Sequence, residues 1–454
     1  MSENQRLFRH FLLPLYPHFN YCFMVHELRI KNFLSFKEET IISFEASKDT
    51  FKQDSLLVTM NDGTRLSRIA IIYGANASGK SNLLEAFEYL FWFWKRKTDD
   101  QDAPTGVEPF ALDKDTPSQP TEFELKLYVN DKKYVYQLIL TPKDVLSEKL
   151  FVYNTNQPSL LMNRELVEGY TTLKFNPTLI KVPAAVKEEL TAKSLKNMSV
   201  FAARKAVNGN FGEIDDVRDW MINHTLPVID LGQKMFNYAE RKMLEDPEAK
   251  KHLLEFSHNI GLNIEDMAVE KDYMPLTPEM IQFMQASGRL SEENVSKLNK
   301  DPRMQNGFKT DFVVSVKNIR GKETYTLPKS CQSDGTLRSM GVETALYVAE
   351  QNNKLLPIDE IETSMHPLLL KYMIQSFLKM PSRSQLLLTT HYDPLFTAAE
   401  DYLRKDSFWL MDKEENGNSA LHPLVSKNGV NKMRSLQRAY LNNKLGALPQ
   451  IADF

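Results

Sequence analysis

Apolar and polar positions alternate in several short segments of the chain. Val25 to Phe33 alternates over its length, and Glu39 to Phe44 continues as a matching partner, so both are predicted to be β-strands. Three further strand patterns cover Glu122 to Val129, Tyr134 to Leu140 and Val145 to Tyr153. The sequence therefore predicts an antiparallel β lobe in this part of the chain.

A helical period replaces this alternation in the middle of the chain. From Pro183 to Asp301 the sequence has long amphipathic stretches with many charges, which favours helices. Strand patterns return at Thr310 to Val316 and at Glu323 to Leu327. The predicted segments are an N-terminal extension at 1–23 with Met24 as the natural start, an N-terminal part of the main domain with the β lobe at 24–182, a helical insertion at 183–308, and the C-terminal part of the main domain at 309–454.

One segment adds chemistry to this pattern. The apolar run Ile69 to Ile72 ends in Gly74-x4-Gly79-Lys80-Ser81, and a helical period follows. Glycines let successive backbone N–H groups turn inward around an anion, and the following helix directs its positive end to the same place. Lys80 would contact the β- and γ-phosphates and Ser81 would hold Mg²⁺. The predicted nucleotide-binding residues are Gly74, Ala75, Asn76, Ala77, Ser78, Gly79, Lys80, Ser81 and Asn82.

Two later strand patterns end in polar residues. Leu355 to Ile358 is followed by Asp359 and Glu360, and Leu386 to Thr390 is followed by His391. Parallel strands collect ligands at their carboxyl ends, so these side chains are expected beside the phosphate loop. Asp359 is the predicted second Mg²⁺ ligand, Glu360 the predicted general base, and His391 a predicted sensor of the γ-phosphate.

A second anion site is predicted at Ser333-Asp-Gly-Thr336, which opens an apolar helix. Ser333 could serve only as an ordinary helix N-cap. A glycine between hydroxyl residues at a helix N-terminus also suits an anion. With one phosphate loop elsewhere in the chain, Ser333 and Gly335 suggest a nucleotide sandwiched between two subunits.

The bulk composition narrows the class of protein only slightly. Of 454 residues, 42% are hydrophobic and 25% are charged, and the net charge is −3, so the chain has no global basic field. The two cysteines, Cys22 and Cys331, exclude a disulfide framework and fit a cytoplasmic protein. No apolar run is long enough to span a bilayer, and no membrane partner is expected.

The order of these motifs resembles the ABC-type ATPase heads of SMC-like and recombination-repair proteins. More closely, it resembles bacterial AAA-type core-domain ATPases related to the OLD family, which are often found in anti-phage defence systems. Supporting segments are Leu28 to Phe36, Glu362 to Pro367, Thr389 to His391 and Tyr440 to Pro449. The fold class that this resemblance implies is an α/β P-loop NTPase with an ABC/SMC-like head, a mixed sheet, an antiparallel β lobe and a helical insertion.

The resemblance also implies roles for residues and partners. Gly74 to Ser81 would be the Walker A motif, Asp359 and Glu360 the Walker B pair, Ser333 to Thr336 the signature motif, and His391 the switch histidine. ATP and Mg²⁺ are the implied cofactors. A head-to-tail homodimer or higher homo-oligomer would place Ser333 and Gly335 of one chain on the ATP of another. No Q-loop glutamine is assigned.

Several functions remain open at this point. The leading hypothesis is an ATP-hydrolysing switch that controls a DNA-directed or anti-phage effector. The resemblance suggests a separate TOPRIM-type nuclease as that effector, and DNA itself is a candidate ligand. The alternatives are an SMC-like repair ATPase that acts directly on DNA and an ATPase with its own nuclease activity, although the segment after His391 is too short for a nuclease domain. The chain has no Asn-Lys-x-Asp guanine-reading motif, and in a GTPase or small-molecule kinase Ser333 to Thr336 and His391 would have no role. The β lobe and the large helical insertion argue against a transporter subunit.

Overall fold

The computed structural model describes residues 23–230, 232–286, 303–319 and 321–449. Of the predicted N-terminal extension, all but Phe23 lies outside the described residues, and Phe23 is the first residue of a strand. The chain divides into two compact units. The predicted domain boundaries remain a prediction.

The elements have the following bounds in the described part of the chain. The strands are β1 (Phe23–Lys31), β2 (Thr40–Ser43), β3 (Leu57–Thr59), β4 (Arg65–Ser67), β5 (Ile69–Gly74), β6 (Thr121–Val129), β7 (Lys132–Leu140), β8 (Val145–Tyr153), β9 (Ser159–Val167), β10 (Tyr170–Phe175), β11 (Ile264–Pro275), β12 (Arg303–Asn318), β13 (Gly321–Pro328), β14 (Leu355–Ile358), β15 (Gln385–Thr390), β16 (Phe408–Lys413) and β17 (Ser419–Pro423). The α-helices are α1 (Gln53–Leu56), α2 (Lys80–Phe93), α3 (Ala184–Lys193), α4 (Val200–Arg204), α5 (Glu213–Asn223), α6 (Met235–Glu245), α7 (Pro247–Asn259), α8 (Pro278–Ala286), α9 (Asp334–Gln351), α10 (Pro367–Lys379), α11 (Ala398–Asp401) and α12 (Leu436–Leu441).

The first unit contains the predicted antiparallel β lobe. It comprises the described residues up to Glu45 together with Val58–Leu66 and Leu90–His224. Seven strands of the described chain form an antiparallel sheet in the order β10-β9-β8-β7-β6-β1-β2. Alternate residues of β6 are buried, as expected for a sheet with one covered face. The strand patterns of β1, β2, β6, β7 and β8 were predicted, whereas β9 and β10 were not.

A buried carboxylate attaches the short helix α4 to this sheet. Glu148 on β8 is fully buried and accepts hydrogen bonds from Tyr136 Oη at 3.0 Å, Ser199 Oγ at 2.6 Å and Val200 N at 2.9 Å. Burial raises the pKa of Glu148 and the charge of Arg164 opposes that shift. The hydrogen bonds satisfy the buried polar group, so its burial is compatible with a stable unit.

The second unit contains the phosphate loop. Among the described residues its sheet has the order β14-β15-β5-β16-β17, with β5 in the centre and only β17 antiparallel to its neighbour. Strands β5, β14 and β15 are buried at every position, which is typical of parallel strands covered on both faces. The predicted α/β class, with a mixed sheet and an antiparallel lobe, is confirmed.

Helix α9 passes through the core of this unit. It packs against α6 and α7, and a Cβ added at Gly341 would lie 2.6 Å from the carbonyl oxygen of Met235. Only glycine lets the two helices approach this closely. The apolar helix predicted at Ser333-Asp-Gly-Thr336 is therefore present, as Asp334–Gln351.

The segment 183–308 differs in part from the prediction. It carries helices α3 to α8, but it also carries β11 and the first residues of β12, which the helical period did not predict. Together with β13 these strands form an antiparallel sheet in the order β11-β12-β13. Charged residues interrupt β11, so the alternation of Ile264, Met267 and Val269 is weak in the sequence.

Burial shifts the pKa of the carboxyl group of Glu350 on α9, and this shift affects the stability of the protein. Burial, with a smaller contribution from the charge of Glu343, raises the pKa of Glu350 to about 8. Between the ordinary pKa of 4.5 and this value, the folded chain keeps a proton that the unfolded chain has released. Stability is therefore lost as the pH rises through this window.

We expect Glu350→Gln to remove this pH dependence. Relative to the wild type, the variant should gain on the order of 1–3 kcal/mol of unfolding free energy at pH 8.5, and much less at pH 5.5. Urea denaturation at the two pH values measures the difference. Glu255→Gln, at an exposed position on α7, is the matched control. An equal effect of Glu350→Gln at both pH values would contradict the assignment.

Candidate active site

The backbone of the phosphate loop has torsion angles that favour glycine. Strand β5 ends at Gly74 and α2 begins at Lys80. Ala77 and Gly79 have positive φ angles of 61° and 107°. A Cβ at Gly74 would lie 2.7 Å from the carbonyl oxygen of Met411, so no larger residue fits beside β16. Strand, turn and helix therefore follow in the predicted order.

Lys80 is held by the backbone of its own loop. Its Nζ donates to the carbonyl oxygens of Gly74 at 2.8 Å and Ala75 at 3.1 Å. Burial lowers the pKa of Lys80, and the nearby carboxylates Glu360 and Asp359 oppose that shift. Within the described residues the ammonium group makes no hydrogen bond to a carboxylate, so its charge remains available to a phosphate.

Two hydroxyl groups hold the carboxylate of Asp359. Ser81 Oγ donates to Oδ2 at 2.7 Å, and Thr389 Oγ1 donates to Oδ1. The same Thr389 oxygen accepts from the backbone N–H of Glu360 at 2.9 Å. Thr389 is fully buried and Glu360 has a positive φ of 44°. One threonine thus positions both members of the predicted acidic pair.

The oxygen atoms of this cluster fit Mg²⁺. Ser81 Oγ and Asp359 Oδ2 are hard oxygen ligands, and they lie side by side next to the loop. Mg²⁺ commonly binds through one or two protein oxygens together with substrate phosphates and water. No cluster of three or more His, Cys, Asp or Glu side chains that could hold a metal occurs within the described ranges. A site completed by nucleotide phosphates is consistent with both observations.

His391 follows β15 and is paired with an acidic residue. Its Nδ1 lies 3.0 Å from Glu362 Oε1, and the same oxygen accepts from the His391 backbone N–H at 2.9 Å. The imidazole is more than half exposed, whereas Glu362 is largely buried. His391 lines a cavity of about 780 Å³ that Gly74, Asn76 and Ser78 also line. The structure therefore brings the predicted switch histidine to the phosphate loop.

The C-terminal segment lies on the same cavity. Tyr440 and Pro449 line it, and the Tyr440 hydroxyl donates to the carbonyl oxygen of Ala447 at 3.2 Å. The backbone N–H of Ala447 donates to Asp412 Oδ1 at 2.6 Å, which ties the segment to β16. The stretch Tyr440 to Pro449 thus has a place at the phosphate loop that its sequence alone did not indicate.

Ser333 and Gly335 lie at a different cavity. Ser333 caps α9, because its Oγ accepts from the Thr336 N–H at 3.1 Å. Both residues line a cavity of about 610 Å³ that does not include the phosphate loop. A Cβ on Gly335 would lie 2.5 Å from the carbonyl oxygen of Ser364. The N-cap interpretation holds, and the predicted anion site has no phosphate loop of its own chain beside it.

An additional acidic residue lies next to the acidic pair. Thr225 and Ile229 form parallel bridges to Leu355 and Ile358, and Asp359 N donates to the Ile229 carbonyl oxygen at 2.8 Å. Asp230 therefore follows a strand-like segment that ends at the same edge as β14. Sequence reasoning missed Asp230. The signal was an apolar run ending in an acid, the same pattern that identified Asp359.

A family model matches most of this architecture. The family described as "AAA domain, putative AbiEii toxin, Type IV TA system" matches residues 69–397, which is more than half of the chain. The chain belongs to this family. The match begins at β5 and ends just after the segment of His391, so it contains the phosphate loop, the acidic pair and the segment Ser333 to Thr336. No curated protein sequence matches the chain.

Solved structures of SMC heads are similar to this AAA-family chain. The SMC head domain from Thermotoga maritima has 14% identity and a TM-score of 0.37, and the alignment covers 88% of this chain and 98% of that chain. An SMC head bound to the C-terminal winged-helix domain of ScpA has 12% identity, a TM-score of 0.41, and coverage of 91% and 99%. An SMC head with an extended coiled coil, bound to the C-terminal domain of ScpA derived from Pyrococcus furiosus, has 12% identity, a TM-score of 0.37, and coverage of 92% and 98%.

The sequence contains no apolar run that is long enough to span a bilayer. Within the described ranges, no helix is both long and apolar enough to cross a membrane. A relation of this AAA-family chain to the OLD family in particular remains a prediction.

Thr389 gives the site its first test. Thr389→Val keeps the shape of the side chain but removes the hydroxyl that positions Asp359 and Glu360. The Mg²⁺ concentration needed for half-maximal binding of ATP should rise about 10- to 100-fold, as is usual when a residue supporting a metal ligand is lost. Thr344→Val is the control, since the Thr344 hydroxyl is buried and donates to the Met340 carbonyl on α9. An unchanged Mg²⁺ dependence in Thr389→Val would contradict this role.

Proposed function

We propose that this protein is an ATP-binding and ATP-hydrolysing switch that uses Mg²⁺. The observation that carries the proposal is the cluster of Ser81, Asp359, Thr389 and Glu360 beside the phosphate loop. In this proposal Lys80 and the loop N–H groups bind the phosphates, and Ser81 and Asp359 hold the metal. Glu360 activates the attacking water as general base. His391, oriented by Glu362, contacts the γ-phosphate.

The ATP site is proposed to be shared between two copies of the chain. Ser333 and Gly335 sit at an exposed helix N-terminus on a cavity that lacks a phosphate loop. They would contact the γ-phosphate held by a second copy. ATP then favours the associated state only because it makes more contacts there than in the separated state. Hydrolysis removes those contacts and returns the chain to the open state.

The proposed effector follows from the family to which the chain belongs. The description of that family names a putative toxin of a type IV toxin–antitoxin system. A switch of this kind would control a separate effector in anti-phage defence, for example a TOPRIM-type nuclease, or a DNA-directed partner. The cytoplasm is the proposed location.

Direct action on DNA, as in SMC-like repair ATPases, has less support. A basic triplet, Lys95-Arg-Lys97, follows helix α2 and is a candidate for contact with DNA. Arg96 lies over the ring of Trp92 and donates to the Asn197 carbonyl oxygen at 3.1 Å. Arg96 is therefore engaged within the first unit instead of being presented to a ligand.

Glu360→Gln tests the catalytic assignment. ATP turnover should fall at least about 100-fold, because the general base is lost, whereas ATP binding should remain close to that of the wild type. Phosphate release and equilibrium binding of a fluorescent ATP analogue measure the two quantities. Turnover near the wild-type rate would remove Glu360 from the mechanism.

Light scattering tests the shared site. Glu360→Gln should increase in mass when Mg-ATP is added, and the increase should be lost when Ser333→Arg is introduced into the same variant. A constant mass equal to that of a dimer or larger assembly would mean that the chain assembles without ATP and that ATP acts within this assembly. A constant monomeric mass would exclude the sandwich and leave a phosphate-loop ATPase that a partner activates.

A further inference from the structure

Arg338 carries a buried charge that is only partly satisfied. It lies on α9, one turn after Gly335, and its Nη1 donates to the carbonyl oxygen of Asp230 at 3.4 Å. Its Nε and Nη2 are buried and have no hydrogen-bond partner in the described ranges. Burying a charged donor without an acceptor is costly. A second arrangement in which these N–H groups have an acceptor is therefore expected.

A matching acceptor lies on the loop after the acidic pair. Glu362 Oε1 is engaged by His391, but Glu362 Oε2 is buried and has no hydrogen-bond partner among the residues that the structure describes. Burial lowers the pKa of Arg338, and the charges of Asp230, Glu360 and Glu362 oppose this shift, so these carboxylates act on the guanidinium. One unsatisfied donor and one unsatisfied acceptor of opposite charge thus belong to the same neighbourhood.

The two backbones that carry these side chains are already in contact. A Cβ on Gly335 would lie 2.5 Å from the Ser364 carbonyl oxygen, so the start of α9 packs closely against the loop from Glu362 to His366. Arg338, Thr363 and Ser364 also line one cavity of about 630 Å³. That space lets the guanidinium change its direction without repacking the helix.

We propose that Arg338 is a positioning residue that pairs with Glu362 when ATP is bound, and that it thereby links the signature turn to His391 of the same chain. The inference rests on the proposed function, in which Ser333 and Gly335 serve the ATP of a second copy while His391 serves the ATP of its own. A single ion pair then joins the two half-sites of one chain. Binding at one ATP site is transmitted through it to the other.

Asp334 is the competing partner for Arg338. It lies four residues earlier on α9 and lines the same cavity, so an Asp–Arg pair along the helix is geometrically available. Asp334 is exposed, whereas Glu362 Oε2 is buried and unsatisfied, and the larger gain comes from pairing the two buried groups. The double-mutant experiment therefore also includes Asp334→Asn.

The experiment is a double-mutant cycle on the full chain. Arg338→Gln and Glu362→Gln should each lower ATP turnover by about 10-fold, and the double variant should be no slower than the slower single variant, because both changes break the same contact. Affinity for a fluorescent ATP analogue should change less than about 3-fold throughout the cycle. Arg241→Gln, an exposed arginine on α6, is the matched control and should keep wild-type turnover.

A charge-conserving substitution separates positioning from a merely structural role. Arg338→Lys keeps the charge, although it cannot reproduce the forked contact. It should therefore recover most of the wild-type turnover, whereas Arg338→Gln should not.

The outcomes separate this inference from the proposed function. If the wild type and Arg241→Gln hydrolyse ATP but the two single effects multiply in the double variant, the ion pair is refuted while the ATPase stands. Wild-type turnover in Arg338→Gln would also refute it, as would coupling to Asp334→Asn in place of Glu362→Gln. If the wild type binds no ATP, the proposed function fails first and this inference falls with it.

Discussion

The parallel pairing of β14, β15 and β5 is the constraint on which the site depends. Three consecutive carboxyl ends emerge at one edge, and each delivers a different chemical group: the phosphate loop after β5, Asp359 and Glu360 after β14, and His391 after β15. The register in which β14 pairs with β15 then sets the positions of individual side chains. Because Thr389 lies inside β15, its hydroxyl meets Asp359 and the Glu360 N–H together. A slip of one residue would turn Thr389 to the other face and release both.

Sequence reasoning succeeded where one local pattern fixes both structure and chemistry. The buried runs of β5, β14 and β15 are short, apolar and followed at once by polar residues, so strand and ligand were predicted together. Asp230 was missed because Thr225 to Asp230 contacts β14 only through isolated bridges, and a proline at position 227 weakens its strand pattern. Thr389 was noticed only as part of a triplet, since a contact between strands far apart in sequence leaves no local trace.

The insertion shows a different limit of the sequence. Its period predicted helices, but charged residues interrupt the apolar positions of β11, and an amphipathic strand and an amphipathic helix differ little over so few residues. The pairing of β11 with β12 is also interrupted by register shifts. Such strands are stabilised by partners that lie far along the chain. The sequence of the strand alone therefore cannot distinguish the two structures.

Some polar side chains of the site already have hydrogen-bond partners, whereas others keep buried atoms without one. Lys80, Ser81, Asp359 and Thr389 hold one another or the loop backbone, so the proposed phosphate and metal positions are preorganised. Glu362 and Arg338 keep buried atoms without partners. Unsatisfied groups raise the free energy of this state relative to any state that pairs them, and they mark where the chain gains most by rearranging. The proposed switch would need both kinds of group, because a rigid site alone binds nucleotide without reporting it.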